Sequence, residues 1–481
     1  MHHFKQTVCR GLTPVALSIL GLILAACSTQ PTVTARPVEP PAVFKEAQLW
    51  KPAAATQPRD KAAVVPADWW QLFQDPVLND LESQLLVGNE NLKSLASQVA
   101  SAQALLQASQ AALWPSLNLT AGGTRAGSPP SGSAESRTTA NTVSVGTSAS
   151  WELDLWGRYR SAARVADIKL QASQDDLVAA RLSAQATLAQ TYLALRAAEA
   201  QLAVQMQTES AYQRMLALTQ ARLDAGVVSQ TDVLQAQIQL RTVQTQIEEN
   251  RAQRAQFEHA IAVLLGRAPT QLTLASTGAL PQLPTVPEVL PARLLERRPD
   301  IASAERAVAA AFAQIGVADA AFYPDISLSA SASYRSASLG QVFNASSLLW
   351  SLGPSAVLAV FDSGARQLAS SQARSAAEQA VSSYRQTVLQ AFQEVEDNLV
   401  LLQRLGAELN LQNDALSAAR RNLEITQSQY QAGTVSYLNV STAQSTALTA
   451  ESSVVTLRNR QLAAANVLLK NLGGRWQAEG G

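Results

Sequence analysis

Apolar and polar residues along this 481-residue chain fall into three kinds of pattern, and the three recur in the same order in each half. The first is helical. Leu92, Leu95, Val99 and Ala102 step at helical spacing within Gln84–Leu113, and a matching stretch runs over Asp300–Phe322. The second is alternation. Leu117, Leu119 and Ala121 alternate with Ser116, Asn118 and Thr120, and Val143, Val145, Thr147 and Ala149 alternate with small polar residues. Ile326, Leu328, Ala330 and Ala332 do the same with Ser327, Ser329, Ser331 and Ser333. Period-two alternation of this kind predicts strands with one wet face. The third is a long helical run: residues 158–225 contain neither Pro nor Gly. At about 1.5 Å per residue, such a helix reaches roughly 100 Å. Leu188, Tyr192, Leu195, Leu202 and Met206 form a stripe on it, and Val395, Leu399, Leu402 and Leu409 repeat the stripe in the second half until Asn413 breaks it. A stripe of this spacing predicts coiled-coil packing.

The recurrence is a tandem duplication. Leu223-Asp224-Ala225-Gly226-Val227-Val228-Ser229 matches Tyr430-Gln431-Ala432-Gly433-Thr434-Val435-Ser436 at an offset of 207. Gly226 and Gly433 supply left-handed helix C-caps, and Ser229 and Ser436 are placed to cap the returning helices. Each half is therefore expected to form a long helical hairpin with these four residues at its tip. The predicted division is 67–285 for the first repeat, 286–473 for the second and 474–481 for a C-terminal tail.

The N-terminus changes the picture from a helical protein to an exported one. Lys5 and Arg10 precede an apolar run from Gly11 to Ala26, too short to span a bilayer comfortably and shaped as a secretory signal over 1–26. The run ends Leu24-Ala25-Ala26-Cys27, which resembles a bacterial lipobox with Cys27 as the lipidated residue. By the same resemblance, Ser28 after it favours the outer membrane. Residues 27–66, rich in Pro, Ala, Thr and Val, read as a linker behind the lipid anchor. Charge adds an exclusion. Basic and acidic residues number 37 each, and removal of the signal leaves 35 against 37, so there is no basic excess for nucleic acid.

An outer-membrane destination constrains the strands. Four strands per chain cannot span lipid as an open sheet, because edge N–H and C=O groups would stay unpaired. Three copies give twelve strands, an even number within the range of closed barrels. Trp114, Trp151, Trp156, Tyr323, Tyr334, Trp350 and Phe361 gather near strand ends, as in an interfacial girdle.

With these patterns in order, four segments carry a resemblance to the TolC-like outer-membrane efflux protein family, in its lipoprotein branch. They are Asp68-Trp69-Trp70-Gln71-Leu72-Phe73 with Asp75-Pro76-Val77-Leu78, Trp151 to Arg158, Arg297-Arg298-Pro299-Asp300-Ile301, and the paired tips. The resemblance implies a mainly α protein with membrane β: a homotrimer with a 12-stranded outer-membrane β-barrel continuous with a periplasmic α-helical barrel. It implies an exit duct working with a periplasmic adaptor and an inner-membrane pump, with no cofactor beyond the lipid on Cys27. It also implies a periplasmic gate at the tips, with Asp232 and Tyr430 at matching positions and able to share an O–H···O bond. Asn439 and Thr442 stand where relatives carry inward rings of Asp, and Val435 stands where some carry a linking Arg. A neutral Asn/Thr ring is expected to hold cations less strongly than carboxylate rings.

Enzyme chemistry finds little support. His259 is the only His after signal removal, and there is no Cys–His pair, zinc spacing or phosphate loop. The alternative reading is a trimeric coiled-coil adhesin or envelope spacer, which would share the heptads and export but conduct nothing. Cargo, whether drug, solvent, metal or peptide, stays open.

Overall fold

The computed structural model describes residues 68–128, 138–285 and 298–472; Cys27, the linker and the tail lie outside them. The elements are α1 (Pro76–Gly88), α2 (Glu90–Ala111), β1 (Ser116–Ser128), β2 (Thr138–Glu152), α3 (Arg158–Asp224) and α4 (Gln230–Leu264) in the first half. The second half has α5 (Pro299–Ala320), β3 (Asp325–Ser336), β4 (Leu348–Val357), α6 (Ala365–Gln431) and α7 (Tyr437–Leu472). The order is that of the duplicated pattern, and α3 and α6 are each 67 residues long.

The chain forms two compact units, each drawing on both repeats. The first, over 99–128, 138–173 and 304–384 among described residues, is built on one antiparallel sheet of order β1-β2-β3-β4. Its register sorts the side chains. Leu117 faces Ala149, Ala149 faces Ala330, and Ala330 faces Leu352, so one sheet face is apolar from edge to edge. The other face carries Ser116, Ser150, Ser329 and Gly353 in the same cross-strand order. Ser331 and Ser351 share a hydroxyl hydrogen bond of 2.9 Å across that face. The apolar face is open, with Leu119 80 % and Trp350 75 % exposed, as suits a face made for lipid rather than a core. At the strand ends Trp156 stacks on Tyr323 at 4.8 Å and donates its N–H to the Pro324 carbonyl.

The second unit, over 68–98, 174–285, 298–303 and 385–472 among described residues, holds the helical hairpins. The single helix expected over Gln84–Leu113 is two. Asp75 caps α1 by accepting from the N–H groups of Val77 and Leu78, with Pro76 at the first helical position. The chain then breaks at Asn89, whose amide donates to the Leu264 carbonyl at 2.7 Å and accepts from the Leu92 N–H at 3.0 Å. One side chain thus ends α4 and starts α2. Gly88 is required there, since a Cβ would lie 2.1 Å from the Leu265 carbonyl oxygen.

The coiled-coil stripe holds at Leu188, Tyr192 and Leu195, all 0 % exposed, and at Val395, Leu399 and Leu402. It fails at Met206, which is 49 % exposed, and Gln205 takes the buried position instead. Helices of 3.6 residues per turn drift off a 3.5 repeat, and the seam corrects by one residue. Asn413, the repeat partner of Met206, is exposed as well. Among the described residues, α5 alone is long and apolar enough to cross a membrane by composition, with a mean hydropathy of 1.2.

Candidate functional site

The two hairpin tips meet within the second unit. Each is built the same way. After α3, Gly226 turns at φ 72°, its N–H donates to Leu223, and the Val227 N–H donates to Arg222. After α6, Gly433 turns at φ 78°, its N–H donates to Tyr430, and the Thr434 N–H donates to Gln429. Both Gly residues therefore sit where a side chain would be strained, and the tight paired bonds satisfy the last helical carbonyls.

The returning helices also start alike. Ser229 stands at the N-cap of α4, and the Asp232 carboxylate accepts from its N–H at 3.1 Å and its hydroxyl at 3.0 Å. In the second tip the Ser436 hydroxyl donates to the Asn439 Oδ1 at 3.3 Å. Asp232 and Asn439 are thus the same structural position, the third residue of the helix, occupied by a carboxylate in one repeat and an amide in the other. A carboxylate there also favours the positive helix end.

Tyr430 is 2 % exposed and Tyr437 1 %, with their rings 5.9 Å apart at 72°. They pack with Met215, Ala236 and Val440 into a small apolar core beneath the tips. Burial, then the neighbouring Tyr212 and Tyr430 hydroxyls, push the Tyr437 phenol upward, so it stays neutral.

The bond expected between Asp232 and Tyr430 is not formed. The Tyr430 hydroxyl donates instead to Thr219 Oγ1 at 3.3 Å, and the Thr219 hydroxyl donates in turn to the Met215 carbonyl at 2.9 Å. The reason is geometric: the ring is buried against α3, while Asp232 is committed to capping α4. Sequence reasoning also missed the residue that joins the tips. Arg222, in the last turn of α3, lays its guanidinium 4.7 Å from the Tyr430 ring centre and donates to the Tyr430 carbonyl. It is a cross-hairpin C-cap: a cation set on the carbonyl end of α6 and on an aromatic face at once. The signal was present, since Arg222 pairs with Gln429 and Leu223 with Tyr430 at the 207 offset, so the duplication is broken where the hairpins touch. Val435, at the position that the resemblance gives to a linking Arg, is packed on the apolar core.

Together these residues line a cleft of about 600 Å³, with Arg222, Asp232, Tyr430, Tyr437, Ser229 and Ser436 on its walls. Asn439 and Thr442 are exposed on one face of α7, and the Thr442 hydroxyl donates to the Leu438 carbonyl at 2.9 Å. Among the described residues, no group of three or more His, Cys, Asp or Glu is placed to hold a metal.

Known proteins share this architecture. The family model described as outer membrane efflux protein matches residues 81–267 and 290–474. The antibiotic efflux pump outer membrane protein ArpC of Pseudomonas putida is 31% identical over 473 residues, covering 97% of this chain and 96% of its own. The cation efflux system protein CusC of Escherichia coli O6:H1 is 31% identical over 469 residues, covering 95% and 98%. Among solved structures, the outer-membrane channel OprN superposes with a TM-score of 0.84 at 28% identity, covering 94% of this chain and 100% of its own.

Proposed function

This chain belongs to the outer membrane efflux protein family, an outer-membrane channel of tripartite efflux rather than an enzyme, and from that premise we propose how its periplasmic end is held shut. The clamp of Arg222 and Thr219 on Tyr430 fixes one hairpin tip to the other, and Asp232 and Asn439 hold the two turns in shape. The single observation that carries this reading is Arg222, which is the C-cap of a helix in the other hairpin. Opening the aperture requires the tips to separate, and separation must break that contact. Asn439 and Thr442 face the pore in this reading and line it without charge.

Three copies surround the pore, an inner-membrane pump loads it, and a periplasmic adaptor engages the tips at Gly226, Ser229, Gly433 and Ser436. The lipid on Cys27 anchors each copy in the outer membrane. The cargo class is toxic small molecules: ArpC is named for antibiotics and CusC for cations, and a neutral aperture suits a duct that leaves selection to its pump. The spacer or adhesin reading has no observation in its favour.

The test is single-channel conductance in planar bilayers. Arg222→Ala and Tyr430→Phe should each raise the conductance or open probability, with Arg222→Ala the larger effect, because it removes the carbonyl and ring contacts together. Asp232→Ala should act more weakly, through a loosened turn, since an N-terminal cap is worth about 1 kcal/mol. Conductance and antibiotic leak unchanged in Arg222→Ala would sink the clamp.

A further inference from the structure

The polar face of the sheet is uncharged over most of its length and carries charge at its two ends. At the end where α2, α3, α5 and α6 join the strands, it has Glu152 and Asp325. Arg158, the first residue of α3, holds both, at 3.4 and 3.3 Å, and the Tyr159 hydroxyl donates to Glu152 at 2.6 Å. These three charges are engaged with one another and sum to one negative per chain.

At the far end the same face has Arg335. Its neighbours in register are Ser144 and, beyond it, Gly122. One step back on the face, Ser333 lies against Gly146. Arg335 is exposed, and among the described residues no carboxylate pairs with it. Arg125, the other cation near this end, is in the opposite phase, across from Asn141, and so on the apolar face. The connections beyond add one charge of each sign, Glu135 and Arg137, between β1 and β2, and none between β3 and β4. Arg335 therefore sets the sign of the polar face here.

In a closed barrel this face lines the lumen. Its Arg335 end points to the exterior, because the helices leave from the other end and run into the periplasm. Three copies place three guanidinium groups on one ring. Twelve strands about 4.8 Å apart, tilted near 40°, close to about 24 Å across, so every point of the lumen lies within about 12 Å of the wall. The Debye length is about 10 Å at 0.1 M salt, so the ring acts across the whole opening. Each guanidinium also offers paired N–H donors that match phosphate, sulfate or carboxylate oxygens.

We propose that Arg335 forms an anion ring at the exterior mouth of the duct, a site for small organic anions bearing several phosphate, sulfate or carboxylate groups. The inference rests on the trimeric-duct reading above. The aperture at Asn439 and Thr442 is neutral, so the charge preference of the duct is set in the barrel. An anion is drawn from the negative base to the positive mouth, and a cation meets a barrier there.

The experiment uses the full-length lipidated protein in detergent, with inositol hexakisphosphate as the probe and calorimetric titration as the readout. At about 0.1 M salt one anion should bind per three chains, and at about 1 M, where the Debye length falls to about 3 Å, binding should be lost. Arg335→Gln should weaken binding at least tenfold. Arg335→Lys, which keeps the charge, should retain most of it, and Arg125→Gln, on the other face, should change it less than twofold. No binding to the parent, equal affinity in Arg335→Gln, Arg335→Lys as weak as Arg335→Gln, or an equal loss in Arg125→Gln overturns the ring. The barrel reading is checked separately in liposomes with Ser331→Cys and Ala332→Cys, a charged methanethiosulfonate and mass measurement. Labelling at Ser331→Cys alone is expected for a lumen-facing residue beside a lipid-facing one. That pattern together with anion binding indifferent to Arg335 overturns the ring and leaves the barrel, and any other labelling pattern overturns both.

Discussion

Glu82 is fully buried on the inner face of α1, between Leu78 and Leu85, and neither carboxyl oxygen has a hydrogen-bond partner. Burial pushes this carboxyl up to about 9, from an ordinary value of 4.5, with no charged neighbour contributing. It is therefore a neutral acid at neutral pH. The sign of its effect on stability follows from linkage. Unfolded chains release this proton near pH 4.5, while the folded chain keeps it to about 9, so stability falls as pH rises between the two values. The loss is roughly 3 kcal/mol by pH 7, at 1.36 kcal/mol per pKa unit. Glu82→Gln keeps the shape and removes the titration. The melting temperature of the detergent-solubilised variant should exceed that of the parent by several degrees at pH 8, and the gap should close at pH 4. Scanning fluorimetry across that range decides it: a gap that does not vary with pH would mean the carboxyl is ionised in the fold.

Elements are tied together by charges that the sequence did not advertise. Arg196 is 2 % exposed and donates to Glu199, to the Tyr192 hydroxyl and to the Ala275 carbonyl. Glu199 accepts from Arg254 and from the Thr277 N–H, and Arg254 donates in turn to Glu258 and the Leu274 carbonyl. Tyr192 closes the chain by donating to Asp75 at the start of α1. The segment after α4 is thus strapped to α3 and α4 by buried ions. Removing one partner of a buried pair typically costs 3–5 kcal/mol, because the other charge is left unpaired. Glu199→Gln should lower stability by about that amount, and trypsin should cut earlier at the exposed Arg267; a cleavage rate equal to the parent would refute the strap. The contrast with the hairpins explains what a sequence reveals. The long helices, their tips and the four strands were legible because period, Gly placement and duplication are local signals. The break at Asn89 was not, since its partner Leu264 lies 175 residues away. The Arg222 clamp was hidden for the same reason: it is a contact between repeats, and the only trace in the chain was a departure from the repeat.

At the scale of the molecule, the sheet decides the assembly. Its order β1-β2-β3-β4 leaves β1 and β4 each with one unpaired edge, and the strands, of 10 to 15 residues, are long enough to cross the hydrocarbon core. One face is apolar across all four strands, so the sheet is made for lipid, and in lipid an open edge costs several kcal/mol for each unpaired backbone group. Curling four strands on themselves would leave no interior for the small polar side chains of the other face, whereas larger barrels form a channel. Joining β4 of one copy to β1 of the next removes every edge, and three copies reach a twelve-stranded closed barrel. The stripes of Leu117, Leu119 and Trp350 then form its outer wall, and Ser116, Ser150, Ser329 and Gly353 its lining. Native mass spectrometry of the detergent-solubilised protein should give three times the mass of one lipidated chain. Cysteines placed along β1, at Asn118 and Thr120, and along β4, at Ser351 and Gly353, should link different chains into dimers and trimers on oxidation. A conducting species with the mass of one chain, or cross-links only within a chain, would overturn edge-to-edge closure.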